Sequence, residues 1–375
     1  MWRDRIEAQP MFDILSMANK RAETGNYVAR MEIGDTPGFK NPHLHDLISK
    51  YSVSEYRYSP SQGEKVLRES VIASQWPTCS PDNIVIGPAN FLITAALASC
   101  TSPNDLILLP DPGFPTYRLS ANFLGLQVIY YPINIKGEKA FPDLDSFVKD
   151  LGVRPKAIVL NNPSNPLGIA FSGEAIKFAL RNFSSMGISV VIDETYVNLV
   201  YDDINPLIDE IPATRIRTLS KEHCAPGLRV GYALSDSDKI ETMSNLMSLS
   251  ISCIPQFIQF AVAEYLQKPT SKSFVNDVKS EMKRRFGLLS AALSPESLPS
   301  KPNSTFYAML AVGNGDTAFK FLLDRNVSTC PGVKFGNSSK SFVRVSLAGA
   351  EETFSRDIQM LIDAIAELNV NYERK

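Results

Sequence analysis

The chain has 375 residues, and 38 Lys plus Arg against 40 Asp plus Glu leave a formal net charge of -2. That length implies about two domains, and the balanced charge excludes a global pull toward nucleic acid or an anionic membrane surface. Five scattered cysteines without a C-x-x-C pair argue against a disulfide framework or a bound zinc, and no window approaches the ~20 apolar residues of a bilayer span, so a metal-free cytoplasmic protein is expected.

Taken in chain order, the elements alternate. NIVIG (83–87) reads as a buried strand and NFLITAALASC as a helix; DLILLP (105–110) and LQVIYYP (126–132) read as strands. LDSFVKDLG is a short helix, KAIVLNNP (156–163) a strand, and SGEAIKFALRNFSSMG (172–187) a helix with a capping serine and a closing glycine. ISVVIDETY (188–196), RIRTLS (215–220) and RVGYALS (229–235) complete the strands. Val-, Ile- and Leu-rich strands separated by helices predict an α/β domain with a mostly parallel, seven-stranded-type sheet covered on both faces.

After about residue 240 the pattern turns helical, ending in a long amphipathic stretch over 273–294. Beyond it, TFYAMLAV and SFVRVSLA read as strands between helices, a smaller α+β unit with which the N-terminal segment is expected to pack. The expected division is a large domain over 45–275 and a small one assembled from 1–44 and 276–375.

In such folds ligands sit beyond the carboxyl ends of the strands. Asp193 closes an apolar strand, where a lone carboxylate is costly to bury unless it meets a cation. Tyr196 follows it, Asn162 and Asn165 flank PSNP, and Phe114 and Tyr117 follow DPG. Ser220 and Lys221 end another apolar segment, with Arg229 eight residues past the lysine. Singly, each has a plain structural reading: a cap, a turn, a core aromatic, a surface charge. Together they are the groups a phosphorylated pyridine aldehyde requires. An amine forms a Schiff base, a carboxylate keeps the ring nitrogen protonated, a phenol and an amide hold the ring oxygen, and an arginine grips the phosphate.

With these residues in place, the chain resembles the fold-type I, aspartate-aminotransferase-like superfamily of pyridoxal 5'-phosphate (PLP) enzymes, near its class I/II aminotransferases. The resemblance rests on the ordered set PMFDILSMANKRAETG, IGDTPGF, YSPSQG, NNPSNPLG, DETY, SKEHCAPGLRVGY and FVRVSLAG. It implies Lys221 as the PLP-binding lysine, Asp193 on the pyridine nitrogen, Asn165 and Tyr196 on the ring hydroxyl, and Phe114 stacked on the ring. Arg229, Thr218 and Ser220 would hold the phosphate with the backbone of Ala89 and Asn90. Tyr58 would reach the phosphate of a neighbouring subunit, which implies a homodimer. Arg344 would grip the substrate α-carboxylate, and Gly34 would line the substrate pocket beside Asn165.

Two positions depart from the family pattern. Leu167 stands where NPTG is usual, and Pro88 and Ala89 remove an N–H and a hydroxyl from the phosphate cup. The implied activity is transfer of an amino group between an α-amino acid and a 2-oxo acid. The alternatives are a PLP-dependent lyase, decarboxylase or cyclising synthase on the same scaffold, and a non-catalytic PLP-binding regulator.

Overall fold

The computed structural model describes residues 2–36, 38–53, 56–135, 141–207 and 212–373; Pro37 of the IGDTPGF stretch lies outside them. Seven strands form one sheet: β2 (Ile84–Gly87), β3 (Leu106–Asp111), β4 (Gln127–Pro132), β5 (Ala157–Asn161), β6 (Ser189–Asp193), β7 (Thr214–Thr218) and β8 (Gly231–Leu234). A two-residue strand, β1 (Ala29–Arg30), precedes them, and β9 (Tyr307–Ala311), β10 (Val327–Ser328), β11 (Cys330–Pro331) and β12 (Phe342–Ser346) follow.

The large sheet runs β2-β8-β7-β6-β5-β3-β4. The run β7-β6-β5-β3-β4 is parallel, and β8 is antiparallel to both its neighbours. Period-two alternation divides the side chains of β5 between two cores. Ile158 and Leu160 pack on one face with Ile176, Leu180 and Phe183 of the helix Gly173–Ser185. Ala157 and Val159 face the other way, onto Leu92, Ile93 and Ala96 of the helix Ala89–Ala98. Both faces are therefore dry, which is why these strands read as continuous apolar runs. A smaller antiparallel sheet, β11-β12-β9, anchors a third core with the helices Pro269–Ala292 and Glu351–Glu373. The N-terminal strand β1 pairs with β10, so the start of the chain is tied to its last third.

This topology gathers the site. The order reverses between β3 and β5, since the chain leaves β3 outward to β4 and returns to β5. A crevice opens beyond the carboxyl ends at such a reversal. Because β8 runs backwards, its first residue Gly231 lies opposite Thr218, the last of β7, and opposite Gly87, the last of β2. The β7–β8 connection, with Ser220, Lys221 and Arg229, is thus held at the same end of the sheet. A side chain at Gly231 would press on Arg217 O at 2.8 Å, Gly87 O at 3.0 Å and Ala89 N at 3.3 Å. The close approach of the Ala89 helix start to this connection therefore requires a glycine.

The strand bounds differ from the sequence expectation where the site begins. β7 stops at Thr218, and Leu219–Glu222 form a single helical turn whose N-cap is Thr218, accepting from Ser220 N. Lys221 thus sits in a capped turn instead of extending a strand. Arg229 lies outside β8, at φ 58° after the turn Pro226–Leu228. The DETY segment leaves the sheet at Asp193.

The strand end is braced by charge. Glu194 is buried and accepts from Arg215 Nη1 at 2.7 Å and Arg217 Nε at 2.8 Å, with all three side chains 5% exposed or less. Replacing Glu194 with Ala would remove from two buried guanidiniums the carboxylate they share. A loss of about 3–5 kcal/mol is expected, read as a lowered denaturant midpoint. An unchanged midpoint would show that water reaches the arginines freely.

Candidate active site

A cavity of about 200 Å³ opens at the crevice. Its walls include Gly34, Ala89, Asn90, Phe114, Asn165, Asp193, Tyr196, Thr218, Ser220, Lys221, Arg229 and Arg344. Every candidate from the sequence is therefore brought to one place except Tyr58, which is 88% exposed, and Asn162, which donates to Phe171 O at 3.1 Å and Pro206 O at 3.2 Å; neither lines the cavity.

Asp193, at the end of β6, is buried and faces no cation among the described residues. Its Oδ2 accepts from Tyr117 Oη at 2.7 Å and its Oδ1 from Thr195 N at 3.0 Å. Burial pushes the carboxyl above the ordinary carboxylate range, against the opposing hydrogen bonds from Thr195 and Tyr117. Burial, then the charge of Asp193, holds the Tyr117 phenol well above its usual range, so it remains a donor. Tyr196 is raised first by burial and then by Tyr307, whose Oη lies 3.4 Å away.

Lys221, half-buried, donates from Nζ to Gly34 O at 2.8 Å. Gly34 also packs directly beneath two aromatic rings because it carries no side chain. A Cβ there would enter the van der Waals shell of Tyr307 Oη and lie 2.9 Å from Phe306 Cε2. Asn165 is fixed from two sides: its N–H donates to Asn161 Oδ1 at 2.7 Å, and its Oδ1 accepts from Arg344 Nη1 at 2.9 Å. Asn161 in turn donates to Asp193 O at 3.1 Å, tying the ends of β5 and β6 together.

Arg344, central in β12, is 2% exposed; its Nη2 donates to Glu32 O at 2.7 Å. Its guanidinium lies 4.1 Å from the Tyr307 ring centroid and 4.7 Å from that of Phe335. Its Nε is buried without an acceptor, so this arginine has a donor to spare for a planar anion.

The other end of the cavity is suited to a phosphate. Pro88 caps the helix Ala89–Ala98 without a side-chain hydrogen bond, and first-turn N–H groups have no intrahelical acceptor. Ser220 Oγ lies 3.0 Å from Thr218 Oγ1. Thr218 Oγ1 accepts from Ser220 N and lies 2.9 Å from Val230 O, so its hydroxyl is committed to the protein. Arg229, exposed at the rim, donates to Pro226 O at 2.7 Å.

The site also uses residues the sequence reading did not assign to it. Tyr117, Asn161, Thr195 and Tyr307 hold the predicted groups in place, and Gln9, Met11, Phe12 and Ile33 form the outer wall. Tyr117 had a local signal, since it lies three residues past Phe114 at the start of one helix. The N-terminal wall had none. Leu167 is fully buried among Leu160, Ile169 and Met309, so the departure from NPTG fills the core and takes nothing from the cavity wall. Among the described residues, no group of three or more His, Cys, Asp or Glu is placed to hold a metal, and no helix is long and apolar enough to cross a membrane.

The Gly34 contact gives a direct test. Gly34→Ala would force Tyr307 off its seat between Tyr196, Phe306 and Arg344, at a cost of about 1–3 kcal/mol in stability. Denaturant unfolding should show that loss, and wild-type stability would mean that the ring moves aside freely.

The model for the family "Aminotransferase class I and II" matches residues 52–365. The (5-formylfuran-3-yl)methyl phosphate transaminase of Methanocaldococcus jannaschii is 26% identical over 370 residues, covering 95% of this chain and 96% of that protein. A probable aspartate/prephenate aminotransferase of Aquifex aeolicus is 28% identical, with 97% of each chain covered. The solved structure of Thermus thermophilus aspartate aminotransferase with maleate superposes with a TM-score of 0.90 at 20% identity, over 97% of this chain and 98% of that one. That likeness is one of fold, and it matches the seven-stranded sheet with its covering helices. With a family match spanning most of the chain, the protein belongs to the class I and II aminotransferases, a family of PLP-dependent enzymes.

Proposed function

We propose that the cavity holds PLP on Lys221 and moves an amino group between an α-amino acid and a 2-oxo acid. The observation that carries this reading is Asp193: a buried carboxylate without a cationic partner among the described residues, in the same cavity as a lysine amine and an uncapped helix start. A protonated ring nitrogen would supply the missing charge. The activities named for the relatives, all transaminations, support the same reading.

The residues fit the cofactor end to end. Ala89 and Asn90 N–H, Ser220 and Arg229 would hold its phosphate, Phe114 would lie against its ring, and Asn165 and Tyr196 would reach its ring oxygen. When bound, the cofactor supplies an electron sink for charge developing at the substrate Cα. The protein does the rest. Asp193, locked by Tyr117 and Thr195, would supply the negative charge that a protonated ring nitrogen needs. Lys221 Nζ, which donates to Gly34 O, would take and return the α-proton. Arg344, clamped between Tyr307 and Phe335, would hold the α-carboxylate through its spare donor, and that grip leaves the Cα–H bond as the one to break.

We further infer a homodimer. Val53, Tyr56 and Tyr58 are 80–88% exposed on one segment, an apolar surface that suits contact with a second copy. Tyr58 would then serve the neighbour's phosphate site. The five free cysteines suit a reducing compartment such as the cytoplasm. The division into a domain over 45–275 and one from 1–44 plus 276–375 is part of the same reading.

Borohydride treatment of the purified protein followed by peptide mapping should fix the cofactor on Lys221; a label on another lysine would overturn the assignment. Single turnover with individual amino acids should release the matching 2-oxo acid, one per site. Carbon dioxide or ammonia released instead would move the reaction to a decarboxylase or lyase. Asp193→Asn should lower kcat by roughly 10²–10³-fold, the scale of losing one preorganised electrostatic partner, with an unchanged circular dichroism spectrum.

A further inference from the structure

We infer that Tyr307 is a positioning residue whose hydroxyl, acting through Tyr196, sets how firmly the Lys221–cofactor linkage keeps its proton. This inference rests on the aminotransferase reading above and extends it to the Tyr307 hydroxyl. Tyr307 opens β9 opposite Ser346 of β12, and its phenol shares the cavity wall with that of Tyr196. Both side chains are buried, and Tyr196 Oη donates to Tyr307 Oη at 3.4 Å, a long bond for two hydroxyls. Among the described residues, each oxygen is the other's one hydrogen-bond partner.

Two phenols that bond each other carry two protons and need one between them, so the second can serve the cavity. Once Tyr196 turns its proton to the ring oxygen, its own oxygen becomes an acceptor, and Tyr307 can donate back to it. The surroundings favour that direction. The Arg344 guanidinium lies 4.1 Å from the Tyr307 ring centroid and polarises that phenol as a donor. Tyr196 is held above its usual range by burial, then by Tyr307, then by the charge of Asp193, which suits it to accept. In a chain of hydrogen bonds each donor strengthens the next, so Tyr196 backed by Tyr307 would donate more strongly. The linkage proton sits between the ring oxygen and the Lys221 nitrogen. A hydrogen bond donated to that oxygen weakens its hold on the proton and lowers the pH at which the proton leaves.

The other titratable or charged groups of this wall are Tyr117, Asp193, Arg229 and Arg344, with Asp35 beside Gly34. Behind Lys221, burial pushes the Cys224 thiol up to about 12, and Glu222 and His223 are engaged with Asn198 and Tyr265. All of these are common to the wild type and the variants of Tyr307, so a difference between them reports the hydroxyl.

The test follows the absorbance of the PLP-loaded protein as the pH is varied. Tyr307→Phe keeps the ring against Arg344 and removes only the hydroxyl. Its midpoint should rise by at least about half a pH unit, the scale of one hydrogen bond. Tyr196→Phe should raise the midpoint at least as far, and adding Tyr307→Phe to it should move the midpoint no further, because Tyr307 acts through Tyr196. Below all of these midpoints, calorimetry should find the affinity of Tyr307→Phe for the unreactive carboxylate 3-phenylpropionate within about twofold of wild type. An unchanged or lowered midpoint in Tyr307→Phe would overturn the inference. So would additive shifts in the double variant, or a parallel loss of carboxylate affinity, the mark of a general disturbance. In each of those cases a borohydride label on Lys221 leaves the aminotransferase reading standing. A label elsewhere, or a wild-type absorbance that does not respond to pH, would sink that reading and the inference with it.

Discussion

Two adjacent carboxylates lie at the end of the central strand β6, Asp193 as its last residue and Glu194 just past it, both buried and oppositely served. Glu194 meets two arginines, Arg215 and Arg217, and is neutralised within the protein. Asp193 meets a phenol and a backbone N–H, and its carboxyl is pushed upward by burial. A fold that provides two guanidiniums to one carboxylate and none to its neighbour holds the second at a standing electrostatic cost. The surrounding structure explains how that cost is borne. The Glu194 brace fixes the strand end, Tyr117 and Asn161 fix the side chain and the backbone of Asp193, and the cavity opens in front of it.

The sheet topology then brings the remaining chemistry to that carboxylate. An antiparallel β8 inside an otherwise parallel run returns the chain to the end it has just left. The connection over residues 219–230 can therefore present Ser220, Lys221 and Arg229 together, while the same register seats the Ala89 helix start against Gly231. Arg344 arrives from the other sheet, fixed by aromatic faces more than by ion pairs, with its Nε unspent.

Much of this was legible in the sequence because the site hangs on strand ends, and apolar runs mark where strands end. Asp193 ends such a run, Asn165 and Lys221 come within a few residues of one, and their order matched a known family. Residues whose role depends on partners far along the chain were not legible. Tyr307 reaches Gly34 across 273 positions, and Gln9, Met11 and Phe12 join the wall only because the N-terminal segment packs back over the crevice. Thr218 shows a subtler limit. Its type and place suggested a phosphate ligand, yet its hydroxyl caps the turn that carries Lys221, a role that depends on where β7 stops. Tyr58 was readable as a motif, but its place in a site depends on a second copy of the chain.

The central claim is that Asp193 is paired with a protonated ring nitrogen of the cofactor. Reconstituting the protein with PLP labelled with ¹⁵N in the ring and recording its nitrogen chemical shift tests this directly. The account predicts a pyridinium shift at neutral pH in the wild-type protein and a neutral-pyridine shift in Asp193→Asn. A neutral-pyridine shift in both would contradict it and return Asp193 to a purely structural role.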